Sequence, residues 1–346
     1  MSQKKIKCVV WDLDNTLWEG VLLEDEHVKL KNNIKEILEK LDKRGILQSI
    51  ASKNNHDKVY NKLKEFGILD YFIYPQISWN TKSSSIKQIA ASINIGLDTI
   101  AFIDDQPFEL EEVGFVLPEV YLIDAKDIDN ILEYPCMNPV AITEDGIKRR
   151  LMYQADIRRN KEEENFEGPK IEFLESLGME LTISRAKEED LLRIEELTLR
   201  THQLNSTGYT YSYEELVRLC KDENYLLLIA GLKDKFGEYG KVGFALIERK
   251  KELWNIKLLL MSCRVVSKGI GSILLNYIIL EAHRREKRLT AHFKTTDSNR
   301  MMYITLKFSG FSEGEDKVTD EEDLTVLEHN FKHIQPMPAY MKISVE

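Results

Sequence analysis

The first third of the chain alternates short apolar runs with stretches rich in lysine and glutamate, and this alternation strongly restricts the possible folds. The runs are CVVWDLD, ILQSIAS, YFIYPQIS, TIAFIDD and VYLID. The stretches between them repeat their apolar residues with a helical period. Such alternation predicts an α/β domain with a parallel sheet, because parallel strands are joined by crossover helices. Ligands of these sheets bind beyond the carboxyl ends of the strands.

Paired carboxylates follow two of these predicted strands. Asp12 and Asp14 come at the end of the first run, and Asp104 and Asp105 end the fourth. An aspartate can attack phosphorus while a neighbouring carboxylate protonates the leaving group, provided that Mg²⁺ neutralises the anionic surroundings. Carboxylate oxygens are the hard ligands that Mg²⁺ prefers. We therefore predict a phosphoryl-handling site with these four aspartates as candidate magnesium ligands.

Two further strand ends carry groups that suit a phosphate. Ser52 ends the second run, and its hydroxyl is a donor for a phosphate oxygen. Lys82, in WNTKSSS, stands just before a predicted helix and supplies a positive charge. The sequence thus predicts that Ser52 and Lys82 bind phosphate at the edge that carries the carboxylates.

The length of 346 residues suits two domains, each able to bury its own apolar interior. Residues 140–170 are highly charged and lack strand alternation, with Thr143 as a helix start and Gly168-Pro169 as a stop. We therefore predict a first domain over residues 1–139, a connecting helix over 140–170 and a second α/β domain over 171–346.

Charge and cysteine content restrict the location and the partners. With 58 acidic and 48 basic residues, the net charge of -10 predicts a surface that repels nucleic acid and anionic membranes. No apolar run approaches the roughly 18 residues of a membrane helix, and the starting sequence MSQKKIK lacks the apolar core of a signal peptide. The four cysteines have no metal-ligand spacing. We predict a cytoplasmic, soluble protein with reduced thiols.

In the second predicted domain, an apolar strand leads into a glycine-containing turn and an apolar helix. Gly269 and Gly271 permit a tight turn that lets backbone N–H groups face a pyrophosphate. Cys263 ends the strand beside Arg264, and a thiol becomes a better nucleophile next to a cation or a helix amino terminus. Cys263 is therefore a candidate nucleophile, and the two glycines are candidate cofactor-binding residues.

Four motifs of the first domain, WDLDNTLW, SKN, WNTK and IDD, resemble in this order those of the haloacid-dehalogenase superfamily. The resemblance implies a nucleophile at Asp12, an acid/base at Asp14, phosphate ligands at Ser52 and Lys82, and a metal held by Asp12 and Asp104. Many members of the superfamily carry a large cap domain, but only short segments separate these motifs here. We therefore expect an uncapped Rossmann-like domain, open to bulky substrates or to a second domain that acts as a lid.

The segment LLLMSCRVVSKGIGSILLNYII resembles the acyltransferases of the GNAT superfamily, whose loop after the fourth strand cradles the pyrophosphate of coenzyme A or the pantetheine arm of a carrier protein. Over nearly the whole chain, the succession DLDNTLWEGV, SKNN, FIDDQPFE, RRLMYQAD, LTLRTHQLNST, LLMSCRV and FSGF resembles the FkbH-like family, which pairs the two folds. This resemblance implies transfer of a glyceryl unit from 1,3-bisphosphoglycerate to a cysteine, here Cys263. The unit then passes to the phosphopantetheine thiol of an acyl carrier protein in polyketide-type biosynthesis.

Three more residues are candidates for this chemistry. His202 and His292 are candidate bases for the thiol, and Asn205 is a candidate hydrogen-bond donor to the acyl oxygen. The basic run HRREKR at 283–288 predicts a local docking patch for an acidic carrier protein.

Two other interpretations remain open from the sequence. In one, the chain fuses a magnesium-dependent phosphatase to an acetyl-CoA-dependent N-acetyltransferase, and Cys263 is structural. In the other, the second domain is a non-catalytic docking module for a carrier protein. The sequence does not distinguish a glyceryl unit from lactyl or another three-carbon acid.

Overall fold

The structure is a computed structural model that describes residues 5–25, 27–139, 141–313, 324–332 and 334–346. The chain divides into two compact units, Met1–Ile157 and Arg158–Glu346. This division falls inside the segment 140–170, which the sequence predicts to connect two domains. Each unit has its own sheet and its own buried apolar clusters.

The described residues of the first unit form seven strands and six α-helices, the last of which continues into the second unit. The strands are β1 (Cys8–Trp11), β2 (Trp18–Glu19), β3 (Lys29–Leu30), β4 (Leu47–Ser52), β5 (Gln76–Ile77), β6 (Ile100–Asp104) and β7 (Tyr121–Asp124). The helices are α1 (Ile34–Lys43), α2 (His56–Glu65), α3 (Lys82–Ile93), α4 (Pro107–Val116), α5 (Glu144–Ile147) and α6 (Arg149–Glu164). Short 3₁₀ helices cover Leu69–Tyr71, Leu97–Thr99, Ala125–Glu133 and Pro135–Met137.

Five of these strands form a wholly parallel sheet in the order β5-β4-β1-β6-β7. Strand β1 lies at its centre and is buried throughout. Its side chains alternate between two apolar clusters, with Val9 and Trp11 in one and Cys8 and Val10 in the other. A strand covered on both faces by helices needs apolar residues at every position, which explains the continuous apolar run in the sequence.

The carboxyl ends of the central strands lie level with one another. Trp11 at the end of β1 is opposite Ile50 of β4 and Ile103 of β6. Asp12, Ser52 and Asp104 therefore reach the same edge of the sheet. Between β1 and α1, the described residues form only the two-residue hairpin of β2 and β3, and no cap domain is inserted there.

The segment between the two sheets forms two helices where the sequence predicts one. Thr143 caps the first, since its Oγ1 accepts a hydrogen bond from Gly146 N at 2.9 Å. Helix α6 then runs across the division between the units. Within the first unit, Arg150 of α6 forms a bidentate pair with Asp42, at 2.9 Å and 3.0 Å. The charged residues of this segment thus make specific contacts in addition to facing water.

The second unit has one eight-stranded sheet in the order β13-β14-β12-β11-β10-β9-β8-β15. Its strands are β8 (Met179–Arg185), β9 (Tyr225–Asp234), β10 (Gly237–Arg249), β11 (Leu253–Met261), β12 (Arg288–Lys294), β13 (Phe311–Glu313), β14 (Leu324–His329) and β15 (Met341–Val345). Its own helices are α7 (Lys170–Ser176), α8 (Glu188–Arg200), α9 (Tyr213–Lys221), α10 (Ile270–Arg284) and α11 (Arg300–Phe308), with a 3₁₀ helix over Cys263–Lys268.

The pairing within this sheet is mixed. Strands β11 and β12 are parallel, as are β8 and β15, and the other neighbours are antiparallel. Apolar clusters lie on both faces of the sheet. The α/β fold predicted for both domains is therefore confirmed: a domain with a parallel five-stranded sheet, without an inserted cap among the described residues, precedes an α/β domain with a mixed eight-stranded sheet. Among the described residues, no helix is sufficiently long and apolar to span a membrane.

Candidate active site

Three carboxylates meet at the carboxyl edge of the first sheet. Asp12 follows β1, Asp104 ends β6 and Asp105 comes next in the chain. One oxygen from each lies within 4.8 Å of the others. Asp12 and Asp104 are almost fully buried, so their charges are poorly screened by water.

Lys82 is the cation of this group. It is the first residue of α3, whose start is fixed by Thr81 Oγ1 accepting a hydrogen bond from Ser84 N at 3.3 Å. Its ammonium donates to Asp12 Oδ1 and, at 2.8 Å, to the carbonyl oxygen of Ala51. The same nitrogen lies 3.1 Å from Asp104 Oδ2. Lys82 is only 4% exposed, so the sheet edge and the helix start hold its charge inside the site.

Burial and the neighbouring charges change the acidity of each group in the site. Burial raises the pKa of Asp12 to about 7, with Lys82 opposing and Asp104 adding to the shift. Burial also raises the pKa of Asp104 and of Asp105. For Lys82, burial disfavours the charged form, but the carboxylates of Asp12 and Asp104 outweigh it and raise the pKa. The site therefore holds more negative charge than one lysine balances.

The donor set fits a magnesium ion. Three carboxylates and one ammonium carry a formal charge of -3 + 1 = -2, which a divalent cation balances. Asp105 Oδ1 is buried and accepts no hydrogen bond from any residue that the structure describes. A buried carboxylate oxygen without a partner is costly, and metal coordination removes that cost. Asp12, Asp104 and Asp105 are therefore the residues that would hold Mg²⁺.

Asp14 lies outside this group of three carboxylates, although the sequence places it among the candidate metal ligands. Its Oδ1 accepts hydrogen bonds from Trp18 Nε1 at 2.8 Å and from Leu22 N at 3.0 Å. Its Oδ2 accepts from Asn54 Nδ2 at 2.8 Å. Three donors thus fix the Asp14 carboxylate beside the hairpin of β2 and β3, at a position that suits an acid/base better than a metal ligand.

Ser52 ends β4 at the same edge as Asp12 and is 4% exposed. Its backbone carbonyl accepts a hydrogen bond from Ser78 N at 3.1 Å, whereas its hydroxyl bonds to no described residue. The hydroxyl therefore remains available to a phosphate. Sequence reasoning missed the roles of Trp18 and Asn54, although both residues lie in the motifs WDLDNTLW and SKN.

One ion pair and two hydrogen bonds attach the neighbouring helix α4 to the site. Lys53 pairs with Glu109 at 2.6 Å, and Glu109 is buried. Glu112 accepts hydrogen bonds from Ser83 N at 3.2 Å and Ser83 Oγ at 2.5 Å. These contacts join α4 to the residue after Ser52 and to the residue after Lys82, so they fix the two phosphate-binding candidates relative to the carboxylates.

In the second unit, Cys263 begins the 3₁₀ helix that follows β11. Its side chain is half-buried and its thiol forms no hydrogen bond with the described residues. The adjacent Arg264 donates from Nη2 to the carbonyl of Tyr239 at 2.8 Å. All four cysteines are free thiols, as predicted.

The two candidate cofactor-binding glycines are needed by the local packing. Gly269 has φ +73°, and a Cβ there would lie 2.8 Å from Tyr340 Oη. A Cβ on Gly271 would lie 2.2 Å from Met261 Cε. Gly269 thus makes the left-handed entry into α10, and Gly271 lets α10 approach the end of β11.

The structure assigns Asn205 a role different from the predicted one. Its Oδ1 accepts hydrogen bonds from Thr207 N at 3.1 Å and Gly208 N at 2.8 Å, and its Nδ2 donates to Tyr209 O at 3.2 Å. The side chain is completely buried. Asn205 therefore shapes its own turn, and its amide does not face an acyl group.

The two candidate bases differ in their surroundings. His292 is buried in β12, with Nε2 2.8 Å from Asn255 Nδ2. Since an amide NH₂ only donates, this ring nitrogen is the acceptor. His202 is exposed after α8. Asn205, three residues later, forms an antiparallel bridge with Leu260, three residues before Cys263. His202 and Cys263 thus leave this bridge at the same end, although no hydrogen bond joins them in the described chain.

Residues 18–112 match a family model described as a haloacid dehalogenase-like hydrolase. The match includes Ser52, Lys82, Asp104 and Asp105.

The chain is similar to several solved structures, of which three are described in turn. The amino-terminal part of BF1531 from Bacteroides fragilis, containing a phosphatase domain complexed with Mg, is 30% identical with a TM-score of 0.36; the match covers 39% of this chain and 40% of that one. The ribosomal-protein-S18-alanine N-acetyltransferase of Escherichia coli is 20% identical with a TM-score of 0.34, over 43% of this chain and 92% of that one. The PaiA N-acetyltransferase of Thermoplasma acidophilum, in complex with coenzyme A, is 15% identical with a TM-score of 0.34; the match covers 43% of this chain and 98% of that one. The chain thus spans less than half the length of the Bacteroides structure. No curated protein has a significantly similar sequence.

Proposed function

We propose that this protein is a magnesium-dependent enzyme that moves a phosphorylated three-carbon acyl unit. It takes a glyceryl unit from 1,3-bisphosphoglycerate onto Cys263 and passes it to the phosphopantetheine thiol of an acyl carrier protein. The observation that carries the phosphoryl part of the proposal is the buried group of Asp12, Asp104 and Asp105 around Lys82. The acyl part rests on Cys263 and on the resemblance of the motifs to the FkbH-like family.

In the first unit, Asp12 is the nucleophile towards phosphorus, and Asp14 exchanges protons with the leaving group and with water. Lys82 and Ser52 bind the phosphate oxygens, and the contacts of α4 keep both in place. When bound, Mg²⁺ supplies positive charge that brings the phosphate and the Asp12 carboxylate together. Burial raises the pKa of Asp12, with Lys82 opposing and Asp104 adding to the shift, and a bound cation would favour the charged carboxylate that attacks phosphorus.

In the second unit, the Cys263 thiol attacks the acyl carbon of the acyl phosphate. The C–S bond forms, the C–O bond to phosphate breaks, and the thiol proton passes to a base. His202 is the candidate base favoured by position, because it leaves the bridge between Asn205 and Leu260 at the same end as Cys263. His292 is engaged with Asn255 inside the sheet, so it is the less suitable candidate.

The two chemistries must act on different phosphates. If Asp12 attacked the acyl phosphate at phosphorus, the activation needed for a thioester would be lost to water. We therefore assign the acyl phosphate to Cys263 and the remaining phosphate, a monoester, to Asp12. Attack by Asp12 breaks the bond between phosphorus and the ester oxygen, and water then releases inorganic phosphate from the aspartyl-phosphate.

An Asp12→Asn protein tests this division. Incubated with 1,3-bisphosphoglycerate and Mg²⁺, it is expected to acylate Cys263 but to retain the monoester, so intact-protein mass spectrometry should find phosphoglyceryl. The wild type should carry glyceryl, and Cys263→Ala should carry neither. Cys220→Ala is the matched control, since Cys220 is a half-buried thiol of the same unit. Unphosphorylated glyceryl on the Asp12→Asn protein would contradict the assignment.

The carrier protein is proposed to dock at the basic run 283–288. Arg284 and Arg285 pair with Glu281, and Arg288 pairs with Glu328. The three guanidinium side chains remain more than half exposed, so they retain contact with the solvent from which an acidic partner approaches.

A second candidate function is a phosphatase fused to an acetyl-CoA-dependent N-acetyltransferase. The observation in its favour is the left-handed Gly269, which begins α10 directly after the loop that follows β11. Helix amino termini of this kind bind pyrophosphate. This function predicts acetyl-CoA turnover that survives Cys263→Ala. Labelling of Cys263 by substrate distinguishes the proposed glyceryl transfer from a purely docking role of the second unit, and acetyl-CoA turnover distinguishes the alternative function from that role.

A further inference from the structure

Strands β11 and β12 separate part-way along their length. They pair in parallel from Leu253 and Arg288 to Ile256 and Ala291. Both strands continue beyond this point without pairing to each other. Where two strands part inside a sheet, backbone N–H and C=O groups on the facing edges lose their partners and must find others.

Residues 204–206, from the loop between α8 and α9, occupy the edge of β11 beyond the point of separation. Ser206 N donates to Leu259 O at 2.9 Å, and Leu259 N donates to Ser206 Oγ at 3.0 Å. Met261 N donates to Leu204 O at 3.0 Å. Together with the bridge between Asn205 and Leu260, these bonds make residues 204–206 a short antiparallel neighbour of β11.

The same segment also contacts the edge of β12. Lys294 N donates to Ser206 O at 3.0 Å. Asn299 then joins the parts, because its Nδ2 donates to Asn205 O at 3.0 Å and to Lys294 O at 2.8 Å, while its Oδ1 accepts from Thr296 N. Asn205 and Asn299 are completely buried and Ser206 nearly so. Residues 204–206 therefore fill the gap between the two strands from edge to edge.

We propose that residues 204–206 are a built-in strand that closes this gap, so that coenzyme A has no place along β11 and the thiol that accepts the acyl unit meets Cys263 at the strand's end. The arm of coenzyme A contains two amides, which need hydrogen-bond partners when they are buried. The amides of Leu259 and Met261 are the β11 donors on this side, and the protein's own segment uses both. A pantetheine arm laid along β11 would have to expel three residues and remove Asn205 O, one of the two acceptors of the Asn299 amide.

The inference extends beyond the proposed function, since it concerns where a thiol can approach, whichever acyl unit is carried. It also weighs against the acetyl-CoA-dependent alternative. The closed gap positions Met261, two residues before Cys263, by the bond to Leu204. The segment 204–206 thus serves as a positioning element for the end of β11.

Hydrogen exchange of the full-length protein tests the proposal. The amides of Leu259 and Met261 are expected to exchange slowly without ligand, because both are bonded inside the gap, and millimolar coenzyme A or pantetheine should leave their rates unchanged. Fast exchange in the free protein, followed by protection when coenzyme A is added, would show an open gap that the ligand fills and would overturn the proposal.

Variants that remove hydrogen bonds holding residues 204–206 in the gap give the second part of the test. Asn299→Ala removes three hydrogen bonds, two of which join residues 204–206 to β12. It should speed exchange at Leu259 and Met261 by roughly tenfold to thirtyfold, from about 1 kcal/mol for each of these two bonds. Ser206→Ala, which removes only the hydroxyl acceptor, should act mainly at Leu259 and serves if the first variant fails to fold. Asn276→Ala is the matched control, because Asn276 is a buried asparagine of the same unit that donates to Gln335 O at 2.7 Å. Equal effects of Asn276→Ala and Asn299→Ala on the exchange rates of Leu259 and Met261 would reject the proposed role of residues 204–206.

Acylation of Cys263, followed separately by mass spectrometry, keeps this test distinct from that of the proposed function. A protein with a closed gap and an unreactive Cys263 would retain the inference and reject the function. An open gap together with an acylated Cys263 would reject the inference and retain the proposed function.

Discussion

Asp105 is the residue whose surroundings fit worst without a cation. Burial raises its pKa, the charge of Asp104 adds to the effect, and its Oδ1 has no hydrogen-bond partner among the described residues. A carboxylate without a partner lowers the stability of the folded chain, and proteins keep such groups where a functional site needs them. The same carboxylate that destabilises the metal-free protein is expected to strengthen magnesium binding.

Asp105→Asn is therefore expected to have opposite effects with and without metal. In EDTA its melting temperature should rise by a few degrees, because an uncompensated buried charge is removed. The further rise caused by millimolar Mg²⁺ should shrink, because the amide is a weaker ligand. Differential scanning fluorimetry measures both, with the exposed Asp129→Asn as control. A lower melting temperature in EDTA would contradict the prediction.

Asp14 illustrates how neighbours orient an acid/base. Its carboxylate is fixed by the Trp18 indole, the Leu22 amide and the Asn54 amide group. Replacing Trp18 by phenylalanine removes one of these three bonds and largely keeps the aromatic ring that fills the buried site.

Trp18→Phe is expected to slow hydrolysis of an alkyl phosphate by about tenfold, the cost of one hydrogen bond to a charged group. Hydrolysis of p-nitrophenyl phosphate should change little, because its leaving group needs no proton. The exposed Trp79→Phe is the matched control. Steady-state kinetics on the two substrates give the ratio, and an equal loss on both would indicate a structural effect instead.

At the scale of elements, strand β14, which lies between β12 and β13, contains a buried titratable side chain. His329 pairs with Leu289 of β12 and Phe311 of β13. Its Nε2 donates to Ser309 O at 2.9 Å, and its Nδ1 accepts from Phe331 N at 3.0 Å. The imidazole is therefore neutral, and burial lowers the pKa of His329.

This shift predicts a loss of stability in mild acid. Below about pH 6.5, His329 becomes protonated in the unfolded chain but stays neutral in the folded chain, because its pKa is lower there. The free energy of unfolding therefore falls as the pH falls towards the lowered pKa. His329→Gln keeps a donor and an acceptor but does not titrate. Its unfolding free energy in urea between pH 7 and pH 5 should fall less steeply than that of the wild type. Parallel curves for the two proteins would refute the assignment.

At the scale of the whole molecule, the end of α6 is part of the second unit. Arg159 forms a bidentate pair with Asp234, at 2.6 Å and 2.9 Å, and its guanidinium lies 3.7 Å from the centre of the Tyr239 ring. Both charged side chains are at most 2% exposed. Breaking a buried pair by removing one partner leaves a charge without compensation.

Arg159→Leu is expected to lower the free energy of unfolding of the second unit by about 3–5 kcal/mol. Arg158→Leu, which changes the neighbouring exposed arginine, should change it by less than about 0.5 kcal/mol. Chemical denaturation followed by hydrogen exchange of β9 and β10 measures the difference in this unit alone. Similar values for the two variants would contradict the prediction.

Arg159 also shows where sequence reasoning ends. Asp12, Lys82 and Asp104 could be predicted to meet, because parallel strands place their carboxyl ends at one edge. A predicted second domain beginning at residue 171 omits Arg159, because no local pattern reveals a buried pair with a residue 75 positions away. The turn made by Asn205 is local, since its side-chain partners lie two to four residues away, but its bridge to Leu260 of β11 is not visible in the local sequence.

The built-in strand at residues 204–206 has a consequence for the regulation of stability. A protein that folds around a cofactor gains stability by mass action, so its population of folded molecules follows the cofactor's concentration. A segment covalently joined to the sheet that it completes is always present at a fixed effective concentration. The stability of the second unit is therefore expected to be the same whether the cell's pool of acyl thioesters is full or exhausted.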